Sequence, residues 1–405
     1  MTSVAPILIF AATYLVLAVG RVPGLRIDRT GAAIIGASLM VATGALSIDE
    51  AFRSINYETV ILLFGMMLVV ANLRLSGFFA MVSRRVISST HRPLTLLCAV
   101  VFVSGVFSAF FVNDTICVVL TPLVIEIVTH LRRNPIPYLL GVAMAANIGS
   151  TATITGNPQN MLIGTFSHIP YPTFAAALAP VAFLGLILTV LLLYLVYHRE
   201  FASRFSTATV EREKVTNPGL MWRTVIAAAA MLVLFFAGWS TSKVAIVTGA
   251  LLLITRTVEP DRIYSEIDWS LLVMLMGLLI VIAGIGKTVL PGNLAAVAAH
   301  LQLGRVSVLS SVTAVLSNLV SNVPAVLLLK PFIAHLPHQD RGWLALAMSS
   351  TLAGNLTLLG SIANLIVVER ARRTVKISFL EYLKAGVPLT VLTMGVGILA
   401  LHLRP

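Results

Sequence analysis

Long apolar runs separated by short polar loops dominate the chain. A membrane span needs about 20 mostly apolar residues. Runs near that length lie at Ala5–Gly20, Gly31–Leu46, Glu58–Leu73, Pro172–Tyr197, Gly219–Trp239, Lys243–Thr255, Trp269–Gly286 and Ser378–Leu401. Four more apolar stretches are interrupted by Gly, Asn, Thr, Ser and Pro: Pro93–Val112 followed by Thr115–His130, then Tyr138–Gly164, Val306–Leu336 and Trp343–Val368. Polar breaks at membrane depth are tolerated only where they are buried in protein or line a cavity. The pattern therefore predicts re-entrant hairpins over 93–130 and 306–336 and broken helices over 138–164 and 343–368. The expected fold is an all-α polytopic membrane protein with about 10–12 membrane segments. Gly77–Ile87 and Asn293–His300 are amphipathic and are expected to lie along the interface.

Composition supports this. Of the 405 residues 58% are hydrophobic and 11% charged, against about 25% charged in soluble domains. The net charge of +12 comes from basic residues in short loops, which is the pattern of cytoplasmic anchoring and not of nucleic-acid binding. The first run lacks a basic segment before it and is followed by Arg21, so it is expected to be a span and not a cleaved leader. With the N-terminus outside, most of the 28 Lys and Arg fall in inside loops. Arg21, Arg26, Arg29, Arg74, Arg84, Arg85, Arg92, Arg132 and Arg133 lie there in the first half. This bias puts both termini outside and the loop 199–218 in the cytoplasm, provided that 93–130 enters and leaves on the inside. The membrane is then the cell inner membrane. Cys98 and Cys117 both lie in apolar runs and read as small packing residues.

The two halves, 1–198 and 219–405, resemble each other across the linker 199–218. SNLVSNVPAVLLLKP from Ser317 aligns without gaps on SAFFVNDTICVVLTP from Ser108, matching Asn322 to Asn113. AGNLTLLGSIANLIV from Ala353 aligns on GSTATITGNPQNMLI from Gly149, matching Thr357 to Thr153, Gly360 to Gly156 and Asn364 to Asn160. The charge bias places the second hairpin on the outside, so the repeats are inverted. Inverted repeats with broken helices at matching points indicate a secondary transporter with its site near the midplane.

Asn113-Asp114-Thr115 carries the first candidate chemistry. An aspartate near the bilayer centre is costly and is rarely there without a role. Breaking the helix frees carbonyls that suit a cation and amides that suit an anion. Asp114, a titratable carboxylate, is expected to carry a coupling proton or cation with Asn113 and Thr115. The second half offers Asn322 without an acid, which favours a single coupling ion, proton or sodium; sodium would sit at the Asn113 and Asn322 tips. The polar stretch Ser150, Thr151, Thr153, Thr155, Gly156, Asn157, Gln159 and Asn160 suits a small polar or oxyanionic solute. So do its counterparts Asn355, Thr357, Gly360, Ser361 and Asn364, together with Ser321. The competing role for these residues is interhelical packing. Glu126 is expected to pair near Arg132 and Arg133, and Lys330 to snorkel at the opposite rim with His335 nearby.

VNDT with its downstream TP, and MAANIGSTATITGNPQNMLIG, resemble the hairpin tip and GNPQN signature of arsenite permease-like and silicon-efflux-like members of the ion transporter superfamily. Ser321-Asn322 is similar to part of the Ser-Asn-Thr tips of divalent-anion/sodium symporters, from which Val112-Asn113-Asp114 departs. The resemblance implies a scaffold, a mobile domain carrying both hairpins, and often a homodimer. It also implies that Asn113, Gly156, Asn322 and Gly360 surround the bound ion or substrate.

The expected function is a proton-coupled permease exporting a small inorganic oxyanion or its neutral acid, arsenite- or silicate-like. The alternatives are a carboxylate or sulfate symporter and a sodium/proton antiporter. No catalytic constellation and no resident cofactor are expected. The chain has no phosphate-binding loop of the G-x-x-x-x-G-K-[ST] type, so ATP use would need a separate ATPase subunit. The interior is expected to lack arginine, which argues for a neutral or weakly charged solute.

Overall fold

The computed structural model describes residues 4–20, 27–88, 92–202, 218–254, 259–289 and 294–404, and every regular element among them is helical. The first half runs α1 (Val4–Val19), α2 (Arg29–Ala42), α3 (Ile48–Ser54), α4 (Tyr57–Leu75), α5 (Phe78–Ser88), α6 (Pro93–Phe110), α7 (Asn113–His130), α8 (Pro135–Ser150), α9 (Pro158–Ser167) and α10 (Tyr171–Val196). A short α11 (His198–Phe201) follows. The second half runs α12 (Pro218–Phe236), α13 (Thr241–Ile254), α14 (Pro260–Tyr264), α15 (Trp269–Val289), α16 (Leu294–His300), α17 (Val306–Val320), α18 (Asn322–Ile333), α19 (Gln339–Leu352), α20 (Ile362–Ala371) and α21 (Phe379–His402). Seven of these helices are long and apolar enough to cross a membrane: α4, α6, α7, α10, α12, α15 and α21. Apolar side chains stay exposed along their outer faces, Phe183, Leu195, Val233 and Leu399 among them. Such a belt suits lipid and not water.

Local chemistry sets the boundaries. Pro93, Pro135 and Pro158 each stand at the start of a helix, where a missing N–H costs nothing. The expected span Gly31–Leu46 ends early, at Ala42, because Gly44 takes φ 73° just past the helix end, and Ser47 and Glu50 then form the capping box that starts α3. The first hairpin turns over Phe111 and Val112 alone, and Asn113 and Asp114 already belong to the first turn of α7. The expected start at Thr115 is therefore two residues late. Of the loop 199–218, Arg199–Phe201 is helical and Glu200 is held by Arg133, whose Nε lies 2.9 Å from Glu200 Oε1. Residues 203–217 lie outside the described residues, as do Arg21, Arg26, Arg256 and Asn293.

In lipid, helix association rests on close packing of small residues. The element order recurs in the two halves, and so do the contacts. Helix α2 packs on α15, and α4 packs on α13. At Gly277 a Cβ would stand 2.8 Å from the Ala33 carbonyl oxygen, and at Gly65 one would stand 2.6 Å from the Ala245 carbonyl carbon. Gly65 and Gly277 are separated by the same interval as Ala33 and Ala245. Around this crossing, α6 and α7 form one hairpin and α17 and α18 the other, each packed on its own broken helix, α8–α9 or α19–α20.

One peripheral expectation changes. Glu126 pairs with Arg84 of α5, not with Arg132 or Arg133; the two Arg84 terminal nitrogens lie 3.0 and 3.1 Å from its oxygens. Helix α5 crosses α7, which brings Arg84 to Glu126 before the chain reaches Arg132. Lys330 lies over the Phe166 ring, 3.4 Å from its centroid, in a cation–π contact. His335 Nδ1 lies 3.0 Å from the Pro331 carbonyl.

Candidate functional site

The two hairpin tips and the two helix breaks meet around one cavity of about 180 Å³. At the first tip Phe111 is extended, with φ −128° and ψ 151°, and α7 then begins at Asn113. The Asn113 side chain is buried and donates through Nδ2 to Asn147 Oδ1 at 3.1 Å. Its own Oδ1 is buried and has no hydrogen-bond partner. Asp114 is half-buried and faces the cavity. At the second tip Ser321 adopts φ 76° and ψ 163°, a conformation that a side chain rarely takes. Asn322 opens α18, and its Oδ1 accepts from Ser317 Oγ at 2.6 Å. Tyr14 of α1 donates to the Pro324 carbonyl at 3.1 Å and fixes this tip from behind.

The broken helices lock each other. Asn147, near the end of α8, donates to Asn355 Oδ1 at 2.8 Å and to Asn364 Oδ1 at 3.0 Å, and accepts from Ser361 Oγ at 3.0 Å. With the bond from Asn113 its amide is saturated. Thr351, which holds the matching place in α19, accepts from Asn157 Nδ2 at 3.1 Å and Gln159 Nε2 at 3.2 Å. Each half thus carries one polar residue that ties down the break of the other half.

Seven of the expected site residues line the cavity: Asn113, Asp114, Gln159, Ser321, Asn322, Gly360 and Ser361. The remainder stand behind it. Asn157 and Asn160 donate to the Ser150 carbonyl. Thr153 donates to the Ala109 carbonyl, and Thr155 shares a 2.9 Å bond with the Tyr171 hydroxyl. Ser150 and Thr151 donate to the Asn147 carbonyl. In the second half, Asn355 donates to the Met144 carbonyl, Asn364 to the Gly354 carbonyl and Thr357 to Asn318 Oδ1. Gly156 packs so close to Ser150 that a Cβ would meet its carbonyl oxygen at 2.3 Å. Thr115 is half-buried and does not line the cavity. These side chains satisfy the carbonyls and amides that the breaks set free.

The cavity also holds residues that the sequence pattern did not single out. Arg29 and Thr30 at the start of α2, and Asp268 and Ser270 at the start of α15, form its opposite wall. Thr30 Oγ1 donates to the Ser270 carbonyl at 3.3 Å, and Asp268 Oδ1 accepts from the Leu271 amide at 2.9 Å. Arg29 corrects the expectation of an arginine-free interior. Its place just after Arg21 and Arg26 reads as a loop charge in the sequence, whereas the crossing of α2 with α15 carries it to the cavity. Asn147 and Thr351 could have been found from the repeat, which places them at matching positions next to the polar stretches.

Comparison with known proteins agrees with this architecture. A family model described as citrate transporter matches residues 14–353. The silicon efflux transporter LSI3 of Oryza sativa subsp. japonica is 30% identical, over 96% of this chain and 95% of its own length. The putative transporter arsB of Dictyostelium discoideum is 26% identical, over 92% of this chain and 87% of its own. Among solved structures, the Alcanivorax borkumensis YdaH transporter, described as having an unusual topology, has the same fold. Its TM-score is 0.64 at 14% identity, covering 98% of this chain and 95% of that one.

Proposed function

The chain belongs to the citrate transporter family, whose members are transporters and not enzymes, and from that premise we propose that it carries a small inorganic oxyacid, silicate- or arsenite-like, in exchange for or together with protons. The observation that carries this reading is the cavity between the two hairpin tips, in which Asp114 stands without a hydrogen-bond or ion-pair partner among the described residues. Its volume of about 180 Å³ equals that of about six waters in the liquid. It lies below the ~300–1,000 Å³ of sites for drug-sized ligands, which favours a small solute. Asp114 is the proton carrier. Asn113, Gln159, Ser321, Asn322, Gly360 and Ser361 contact the solute, and the polar residues behind them hold the broken backbone in shape. Residues 1–198 and 219–405 act as inverted halves of an inner-membrane protein whose termini lie outside, with 199–218 as a cytoplasmic linker. The name of LSI3, a silicon efflux transporter, supports a silicate-like solute and export as its direction.

The test uses purified protein in liposomes that contain a pH-sensitive dye. Under an imposed proton gradient, arsenite, silicate, sulfate, citrate and sodium are added in turn, for the wild type and for Asp114→Asn. Proton flux that requires one oxyacid and disappears in the variant is the expected result. Flux triggered by sodium alone makes the protein an antiporter. Solute flux that ignores pH and survives Asp114→Asn removes Asp114 from the coupling role.

A further inference from the structure

Arg29 and Asn113 are two mismatched polar groups that face the same cavity. The Arg29 side chain lies along Gly20, where a Cβ would come within 3.8 Å of its Nη2. Its Nε is buried with no partner among the described residues. Arg29 is half-buried; a partly buried guanidinium without a counter-charge carries a cost, and its planar fork matches an oxyanion. The charged groups that share the cavity with it are Asp114 from α7 and Asp268 just before α15, and Asp28, which precedes it, caps α2 by accepting from the Gly31 amide. Among the described residues none of them forms an ion pair with it. Across the cavity, Asn113 is 4% exposed and keeps an unpartnered Oδ1. Its Nδ2 is committed to Asn147, so the oxygen is left as an acceptor. Together with the Asp114 carboxylate it requires a donor from the ligand.

We infer that Arg29 is a specificity-determining, solute-binding residue and that the cavity selects an oxyacid in the form of a monoanion that still bears a hydroxyl. This rests on the reading of the protein as a small-oxyacid permease. One ionised oxygen answers the guanidinium, and one O–H answers Asn113 Oδ1 or Asp114. A fully neutral acid leaves Arg29 uncompensated. An anion without hydroxyls turns lone pairs toward the two acceptors. Sites built to hydrogen-bond a ligand hydroxyl discriminate strongly against ligands that lack it, because the site's own polar groups are then left unpaired.

The test is equilibrium binding by calorimetry to the full chain in lipid nanodiscs. The probes are arsenite, silicate and phosphate across a range of pH, with sulfate as a tetrahedral anion without a hydroxyl. Affinity is expected to follow the monoanion fraction of each probe, so that the pH at which binding strengthens shifts from probe to probe. A titration of Asp28, Asp114 or Asp268 would instead fix one pH for all of them. Sulfate is expected to bind at least ~10-fold more weakly than monoanionic phosphate. Arg29→Gln should weaken monoanion binding by about 10- to 100-fold and flatten the pH profile. Arg29→Lys should keep the profile with part of the affinity, which separates loss of charge from loss of fold. Equal affinity in wild type and Arg29→Gln, or affinity that follows the neutral acid, overturns the role of Arg29 and leaves the permease reading standing. If no oxyacid binds the wild type at any pH, the permease reading fails and this inference fails with it.

Discussion

Asn147 joins more of the site than any residue that touches the cavity. Its amide connects the first hairpin tip, through Asn113, to the second helix break, through Asn355, Ser361 and Asn364. Each buried partner left unsatisfied costs about 1–3 kcal/mol. Asn147→Ala is therefore expected to lower stability by about 3–5 kcal/mol, read as a reduced midpoint in denaturant unfolding of the detergent-solubilised protein. Thr351→Val keeps its shape and removes a single hydroxyl, so a loss of about 1–2 kcal/mol is expected. Equal losses at the two positions would mean that the hubs are not the asymmetric pair described. The positions of the polar breaks were legible in the sequence, because Asn, Thr and Gly have little reason to interrupt an apolar run. Their division of labour was not. An asparagine that satisfies a freed carbonyl, as Asn160 and Asn364 do, is the same residue type as one that lines the cavity, as Asn113 does.

At the scale of elements, α5 shows which contacts hold an amphipathic helix in place. Phe79 is buried, and its ring lies 5.1 Å from Phe107 and 5.5 Å from Phe111. The aromatic cluster thus connects α5 to the first hairpin tip. The Arg84–Glu126 pair lies on the contact of α5 with α7, with the Glu126 side chain 57% exposed. Exposed pairs contribute about 0–1 kcal/mol, whereas truncating a buried Phe costs about 3–5 kcal/mol. Phe79→Ala is expected to destabilise by several-fold more than Glu126→Gln in the same unfolding assay. The reverse order would make the ion pair the anchor. The amphipathic pattern of 77–87 was readable from sequence. The partner of Glu126 was not, because it depends on where α5 crosses α7, and charge spacing along the chain carries no information about that crossing.

At the scale of the whole molecule, the two close crossings are chemically alike and differ in what they carry. Gly277 on Ala33 sets α15 against α2, whose N-terminal ends bring Asp268 and Arg29 to the cavity. Gly65 on Ala245 sets α4 against α13, and neither helix lines it. An added methyl at either glycine meets backbone at under 3 Å, so the helices must separate, at a cost of about 1–3 kcal/mol. Gly65→Ala and Gly277→Ala are expected to lose similar stability. Their effects on transport should diverge. Gly277→Ala displaces Arg29 relative to Asp268 and should raise KM for the transported solute, whereas Gly65→Ala should leave KM near the wild-type value. Transport kinetics in liposomes, measured beside thermal unfolding, separate the two effects. A matched rise in KM for both variants would mean that the two crossings act on the cavity together, and that the helices around them move as one body during transport.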